Sequence, residues 1–353
     1  MPRGEALVLA ALALLVFCVS VLPMGRLLWE ALAPAGVPSL ETFRKALDSP
    51  RVWTATANTL QVSILGTMLA VAIGGLMALL VGLTDIRGKT WLVFFFMVPL
   101  MIPPQVNALA WLQLFGPASV LLNMAGLAPP PGSSNPLYSR EGIILLLGIQ
   151  HAPLVFLALR AGLRSMPREL VEAARAAGAR RMKVLRDVVL PLTLPPLVAG
   201  TALAFVSAVG NFGIPALLGI PARYIVLPTL IYQRLANFGP KVIAETAALS
   251  ILVGAIAFAG VLVQSWLLSR RDYRTIGAPS APLAFMLGRW RPWVEALCWG
   301  LIAAVLAAPL LALFVTALVP AYGVKLSSET ATFAAFHQVL MQPGATARAF
   351  RNS

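Results

Sequence analysis

Few side chains in this sequence could catalyse a reaction or hold a metal ion. The chain of 353 residues has two histidines and two cysteines. Cys18 and Cys298 each lie inside an apolar run, which excludes a disulfide framework and a cysteine-based metal site. His151 has no partner at metal-ligand spacing. The stretch Leu83 to Thr90 ends in Gly-Lys-Thr like a phosphate loop, but it begins with leucine where that loop requires glycine. We therefore expect no catalytic residue, no metal site, no cofactor and no nucleotide bound by this chain.

A basic segment stands out in this apolar chain: residues 169 to 192 read ELVEAARAAGARRMKVLRDVVLPL. Its apolar residues recur at a spacing that builds one face of a helix. Gly178 interrupts the pattern, where glycine costs about 1 kcal/mol relative to alanine and permits a bend. The pattern predicts two short helices with a hinge, ended by Pro191. An interfacial helix lying on lipid is the alternative, but an apolar face made mostly of alanine favours packing against protein.

The segment resembles the EAA loop of permease subunits of prokaryotic ABC importers of the binding-protein-dependent type. The matching residues are Glu172, Ala173, Ala174, Gly178, Val188, Leu190 and Pro191, in a loop spanning 164–191. Val188 stands where the usual pattern has isoleucine. The resemblance implies an all-α transmembrane fold, namely a type I ABC importer permease core with a cytoplasmic coupling helix.

The resemblance also implies partners and roles. A dimer of separate ATP-hydrolysing nucleotide-binding subunits would receive the coupling helix, and an extracytoplasmic solute-binding protein would deliver the solute. The chain itself would not be an enzyme. Glu172 would pair with a cation or a helix end on the ATPase, Gly178 would make the bend, and Ala173 and Ala174 would allow close approach. A duplicated layout and the stretch NFGIPALLG resemble the ferric-iron branch of these importers, with thiamine and polyamine systems nearby, so ferric iron is the expected substrate.

Uncharged polar residues occur in two apolar stretches that glycine and proline interrupt, 98–111 and 210–221. Such breaks are tolerated where the backbone lines a cavity or is covered by protein. The candidates for lining a translocation path are Gln105, Asn107, Gln150 and Asn211. The alternative is that these amides, and His151, hydrogen-bond neighbouring helices.

Composition places the chain in a membrane. It is 59% hydrophobic, against about 45–50% in soluble domains. Its net charge of +14 comes from residues in the gaps between apolar runs, which is typical of topology signals and not of nucleic-acid binding. We expect membrane lipid as a partner and no nucleic acid. Six to seven membrane helices are predicted from runs near 6–29, 57–83, 90–115, 142–163, 192–214, 242–268 and 293–319.

The distribution of Lys and Arg predicts the orientation. With a cytoplasmic N-terminus, 16 of the 27 Lys and Arg fall on the cytoplasmic side. We therefore expect a multi-pass protein with its N-terminus inside, and the resemblance to prokaryotic importers implies that the membrane is the bacterial inner membrane.

An internal repeat predicts the domain organisation. Runs one and seven are both followed by a Glu-Thr pair, a Thr-Phe pair, a proline and an asparagine. The sequence predicts a first membrane helix and extracytoplasmic segment at 1–56, a permease core at 57–268, a cytoplasmic linker at 269–292 and the start of a second permease copy at 293–353. Because the second copy stops where a core would begin, we expect a fragment of a longer duplicated protein.

Two other classes of protein remain as alternatives. An ion-coupled carrier or channel needs a charged residue inside a membrane helix, and no apolar run has one at its centre. A membrane-embedded enzyme needs converging His, Asp, Glu or Ser side chains, which the sequence does not offer.

Overall fold

The structure, a computed structural model, describes residues 3–33, 39–130, 132–237, 239, 242–269, 285–321, 323–341 and 344–352. These residues form helices joined by turns and loops, and no β-strand occurs among them. The helices are α1 Gly4–Leu32, α2 Glu41–Leu47, α3 Pro50–Leu83, α4 Lys89–Met101, α5 Pro104–Phe115, α6 Val120–Met124, α7 Arg140–Arg164, α8 Arg168–Ala176, α9 Met182–Val209, α10 Gly213–Leu218, α11 Leu227–Leu235, α12 Val242–Ser269, α13 Gly288–Ala317, α14 Ala334–Met341 and α15 Ala345–Asn352.

Six of these helices, α1, α3, α7, α9, α12 and α13, are long and apolar enough to span a membrane. The stretch predicted as one span at 90–115 is instead a broken pair, because α4 and the helical stretch Pro104–Met124 meet at 102°. Counting that pair as one span gives seven, so the predicted number of six to seven is confirmed. Helix α3 begins at Pro50, earlier than the predicted residue 57. Proline suits the first position of a helix because its ring fixes φ near the helical value. The backbone N–H that proline lacks would have no partner within the helix at that position.

Three π-helical turns share one sequence feature. Each covers five residues and ends two residues before a proline. Proline lacks an N–H and its ring collides with the carbonyl one turn earlier in a regular α-helix. A wider π turn relieves that collision without ending the helix. The turns and their prolines are Phe17–Val21 with Pro23, Leu185–Val189 with Pro191, and Ala303–Ala307 with Pro309.

The structure divides into two compact units. The first contains residues 1–61 and 225–259. In it, the Asn58 side chain donates a hydrogen bond to the Ile225 carbonyl at 2.9 Å, and the Leu227 amide donates to the Thr59 hydroxyl at 2.8 Å. These bonds fix the start of α11 on α3. Its small core consists of Val52, Ala55, Leu227, Leu230 and Leu249.

The second unit contains residues 62–224 and 260–353 and is built around α7. Helix α7 is the most buried of the long helices, because 72% of an 18-residue apolar stretch of this helix is buried inside the protein. Helix α3 approaches it through Gly66, Gly74 and Gly82, where an added Cβ would collide with α7. In a membrane the hydrophobic effect does not drive helices together, because lipid is itself apolar. Small residues let two helices approach closely, so that van der Waals contacts hold them together. Helix α9 lies against another part of α7 through Gly200.

Helix α13 is joined to this second unit at the turn between α3 and α4. The Leu287 amide donates a hydrogen bond to Asp85 Oδ1 at 2.8 Å, and the Arg87 amide donates to Glu295 Oε1 at 2.7 Å. Arg291 lies 3.8 Å from Asp85 and 2.8 Å from Glu295. Further along α13, Cys298, Ile302 and Leu306 lie in the same core as α3, α4 and α7. Of the predicted linker at 269–292, residues 270–284 lie outside the described part of the chain.

Candidate functional site

The segment singled out by the sequence forms two helices that are anchored on one face. Helix α8 buries Val171, and Ala174 packs against the same core. After the turn, Val184 and Val189 are fully buried in that core. A short helix of this kind is marginal alone in water, so packing of its apolar face holds it in place. The opposite face is therefore presented in a fixed orientation.

Gly178 ends α8 through a Schellman motif. Its φ is +81°, in the left-handed region. The Ala179 amide donates to the Ala174 carbonyl and the Gly178 amide donates to the Arg175 carbonyl, both at 3.0 Å. These two bonds satisfy carbonyls that a helix end leaves unpaired. The bend predicted at Gly178 is present, but it is a hydrogen-bonded stop with defined geometry and not a free hinge.

Four of the predicted coupling residues, Glu172, Ala173, Ala174 and Gly178, lie on α8 or directly after its end. Glu172 and Ala173 are exposed, whereas Ala174 is half-buried. Gly178 is also exposed, and nothing lies within 4 Å of the position that a Cβ would occupy there. A partner surface could therefore approach the backbone closely at both alanine and glycine positions. Leu190 is 41% exposed and Pro191 is half-buried, directly after the π turn.

The second set of predicted residues surrounds the break between α4 and α5. The consecutive prolines Pro103 and Pro104 remove two backbone donors and push the residues before them into extended conformation. The carbonyls of Pro99 and Ile102 accept hydrogen bonds from Gln150 Nε2 instead, at 2.8 Å and 3.2 Å. One buried side chain of α7 thus replaces the missing helical donors at the break.

Asn107 completes this network. Its Nδ2 donates to Gln150 Oε1 at 2.7 Å, and both side chains are buried. The amides of Asn107 and Gln150 therefore bind each other and the backbone, which is the alternative that the sequence left open. They hold the geometry of the break and do not line an open surface.

Gln105 and Asn211 both lie near a second break, between α9 and α10. Asn211 is buried, and its Oδ1 accepts a hydrogen bond from the Ile214 amide at 3.2 Å, which caps α10. Gly213 is the first residue of α10, and a Cβ there would come within 2.7 Å of the Gln105 amide carbon. Gln105 is exposed. Of the four predicted path residues, it alone presents its side chain to an open surface.

The part of the chain that the structure describes contains no group of three His, Cys, Asp or Glu side chains that could hold a metal ion. His151 is buried and its Nδ1 lies 2.7 Å from the Leu147 carbonyl of its own helix, so it acts within α7.

The attachment of α13 through Asp85, Arg291 and Glu295 was not predicted from the sequence. Asp85 lies in the turn between α3 and α4, outside the membrane-spanning helices. The backbone N–H of Leu287 lowers the pKa of its carboxyl group below the ordinary value, and Arg291 and Lys89 act in the same direction. The sequence did contain one signal for this contact, since Asp85 directly follows a membrane helix in a chain with only 13 acidic side chains. Its partners lie about 200 residues further along the chain and could not be identified from spacing.

Comparison with known proteins identifies the family. The family described as "Binding-protein-dependent transport system inner membrane component" matches residues 70–273. A relative from Salmonella typhimurium, described as "Putative 2-aminoethylphosphonate transport system permease protein PhnU", is 30% identical over 217 residues, 60% of this chain and 75% of that protein. A relative from Haloferax volcanii, described as a "Probable molybdenum ABC transporter permease protein", is 30% identical over 256 residues, 72% of this chain and 88% of that protein.

A solved structure shares the fold. The crystal structure of a bacterial alginate ABC transporter, in complex with a periplasmic protein that carries an alginate pentasaccharide, contains a chain that superposes with a TM-score of 0.58. The sequence identity is 20%, and the match covers 76% of this chain and 96% of that one. The family match spans more than half of the sequence and includes every residue of the EAA-like segment. The chain is therefore a member of the family of inner membrane components of binding-protein-dependent transport systems.

Proposed function

We propose that this chain is a permease subunit of an ATP-driven importer and that the exposed face of α8 is its contact with a separate ATPase. Three features of α8 together support this proposal. The helix is anchored on the core, its Glu172 is exposed, and its glycine-capped end leaves open space at Gly178. An element that transmits force must be fixed on one side and accessible on the other. Closure of two ATPase subunits would move this segment and the helices packed on it, giving alternating access.

The chain offers a matched pair of carboxylates to test this contact. Glu169 and Glu172 are both exposed on α8, and both would undergo the same charge reversal on replacement by arginine. In full-length protein reconstituted with its ATPase and binding protein, Glu172→Arg should lower uptake and transport-linked ATP hydrolysis about tenfold, the effect of losing one charge-assisted hydrogen bond. Glu169→Arg should change both far less. Equal effects of the two substitutions would remove the specific role of Glu172.

We infer that the solute is a small oxyanion delivered by an extracytoplasmic binding protein. The two relatives above are named for a phosphonate and for molybdenum, and neither is named for iron. Ferric iron stays a prediction that the comparisons do not support. Uptake of labelled molybdate, 2-aminoethylphosphonate and ferric ion by cells carrying the complete transporter separates these substrates, and uptake of ferric ion alone would overturn the oxyanion assignment.

We further propose that the N-terminus is cytoplasmic and that residues 293–353 begin a second repeat. The charge asymmetry supports the orientation. In support of the repeat, both α1 and α13 are followed by a Glu-Thr pair and a Thr-Phe pair. With seven spans, a cytoplasmic N-terminus places Ser39 and Ser327, which follow the first and the last span, on the outer side. Cysteines introduced at these two positions should react with a membrane-impermeant reagent in intact cells, and protection of either one would contradict the assignment.

A further inference from the structure

A groove lies between α3 and α13 on the surface of the second unit. It encloses about 220 Å³ and is lined entirely by apolar residues. The floor is formed by Met77 and Cys298, which are buried, whereas Leu76 and Leu297 at the rim are about half exposed. The remaining lining residues are Ala72, Ile73, Leu80 and Leu301. Both helices are membrane-spanning, so the groove opens towards the hydrocarbon region.

The position of the groove along the membrane follows from the ends of the two helices. The Phe285 amide donates a hydrogen bond to the carbonyl of Leu83, the last residue of α3, so both helices end at the same membrane surface. At 1.5 Å per residue, Leu80 and Ala72 lie about 5 and 17 Å from that surface. Half of the hydrocarbon thickness is about 15 Å. The groove therefore spans a single leaflet, which is the depth that one acyl chain occupies.

The lining of the groove selects an apolar occupant. An apolar cavity offers water no hydrogen-bond partners and takes up apolar molecules instead. A hydrocarbon chain matches this lining, and in a membrane it is present at high concentration.

A cation lies where the head group of such a lipid would be. The residues Trp290, Val294, Leu297 and Leu301 follow one face of α13, so the groove continues towards the membrane surface at Trp290. The Arg289 guanidinium lies 5.6 Å from the centre of the Trp290 ring. In the described part of the chain, no acidic side chain forms an ion pair with Arg289. Trp293 is also exposed here, as is typical of aromatic residues at membrane surfaces.

We propose that the α3–α13 groove binds one anionic phospholipid, with an acyl chain in the groove and its phosphate on Arg289. Tryptophan residues at the surface and a basic residue between helices are a known combination for recognising lipid head groups. This site goes beyond the proposed transport function and does not depend on it.

Native mass spectrometry of the full chain tests the acyl-chain part of the site. The protein is released from nanodiscs that contain equal amounts of phosphatidylglycerol and phosphatidylcholine. The unmodified chain should retain one phosphatidylglycerol. Leu297→Trp and Leu76→Trp, which fill the groove from opposite walls, should each abolish retention. Leu311→Trp, at an exposed position of α13 outside the groove, should not.

The head-group part of the site is tested with two arginines. Arg289→Gln should lower the preference for phosphatidylglycerol over phosphatidylcholine about tenfold, as expected for one charge-assisted contact. Arg164 is exposed at the end of α7, close to the same membrane surface because Leu163 packs on Gly82. Arg164→Gln should leave the preference unchanged.

Three results would overturn the proposal. The first is equal lipid retention by Leu297→Trp and Leu311→Trp. The second is an equal loss of preference for phosphatidylglycerol in Arg289→Gln and Arg164→Gln. The third is that a second protein chain, and not lipid, is bound and is displaced by the groove-filling substitutions.

Discussion

Replacing Gln150 by leucine should destabilise the protein through the break between α4 and α5. The substitution keeps the side-chain volume similar but removes three hydrogen bonds, to the Asn107 amide and to the carbonyls of Pro99 and Ile102. Hydrogen bonds between membrane helices contribute about 0.6 kcal/mol on average and up to about 1.7 kcal/mol each. Three bonds therefore give a loss of about 2 to 5 kcal/mol in the free energy of unfolding.

A double-mutant cycle makes this reasoning refutable. Asn107→Leu removes only the bond to Gln150 and should cost about 0.6 to 1.7 kcal/mol. Adding it to Gln150→Leu should cost nothing further, since Asn107 then has no partner to lose. The free energies come from unfolding in mixed micelles with increasing denaturing detergent. Gln113→Leu is the control, because Gln113 Oε1 is buried and has no hydrogen-bond partner among the residues that the structure describes. Additive losses in the cycle, or an equal loss in the control, would refute the assignment of Gln150 as the residue that holds the break.

Three further predictions follow from backbone strain, titration and helix contact. Gly178→Ala should destabilise the segment by about 1 to 2 kcal/mol, because alanine is strained at positive φ, while Gly178→Asn should cost less. Hydrogen exchange of the α8 amides measures this loss. Gly300→Ala, at a position with open space for the added Cβ, is the control. The pKa of Asp85 is lowered in the folded protein, so its ionised carboxylate contributes fully to stability above the ordinary carboxyl pKa of about 3.9. That contribution is lost as the pH falls further and the carboxylate of the folded protein becomes protonated. The unfolding midpoint of Asp85→Ala should thus lie below that of the unmodified protein at pH 7, and the gap should narrow in acid; a constant gap would contradict an ionic role. Gly74→Val should prevent α3 from packing on α7, since an added Cβ would collide with the Ala152 carbonyl, and gel filtration should show loss of the monodisperse protein.

The EAA-like segment shows how far local sequence carries a prediction. The helix before Gly178 and the break at Gly178 depend on periodicity and on the backbone preferences of glycine, which act within a few residues. The predicted end at Pro191 was wrong, because a π turn accommodates that proline and α9 continues to Val209. The sequence did not predict that the break is a hydrogen-bonded cap. That result depends on the orientation of two amides, which no spacing pattern encodes.

The path candidates illustrate the opposite case. Gln105, Asn107, Gln150 and Asn211 could be selected from the sequence as polar residues near helix breaks. Whether each amide faces an opening or another helix depends on which helices are neighbours. The structure brings Gln150 of α7 to the carbonyls of α4, about 50 residues away in the chain, and leaves Gln105 exposed.

The sequence by itself determined the membrane-spanning helical class, the number of spans and the location of the EAA-like segment, because chain-local hydropathy and backbone preferences encode them. Tertiary structure alone decided which polar groups satisfy one another, how α13 attaches through Asp85, and where α3 and α13 leave a groove. These features depend on contacts between residues far apart in the chain, and such contacts arise only when the helices pack.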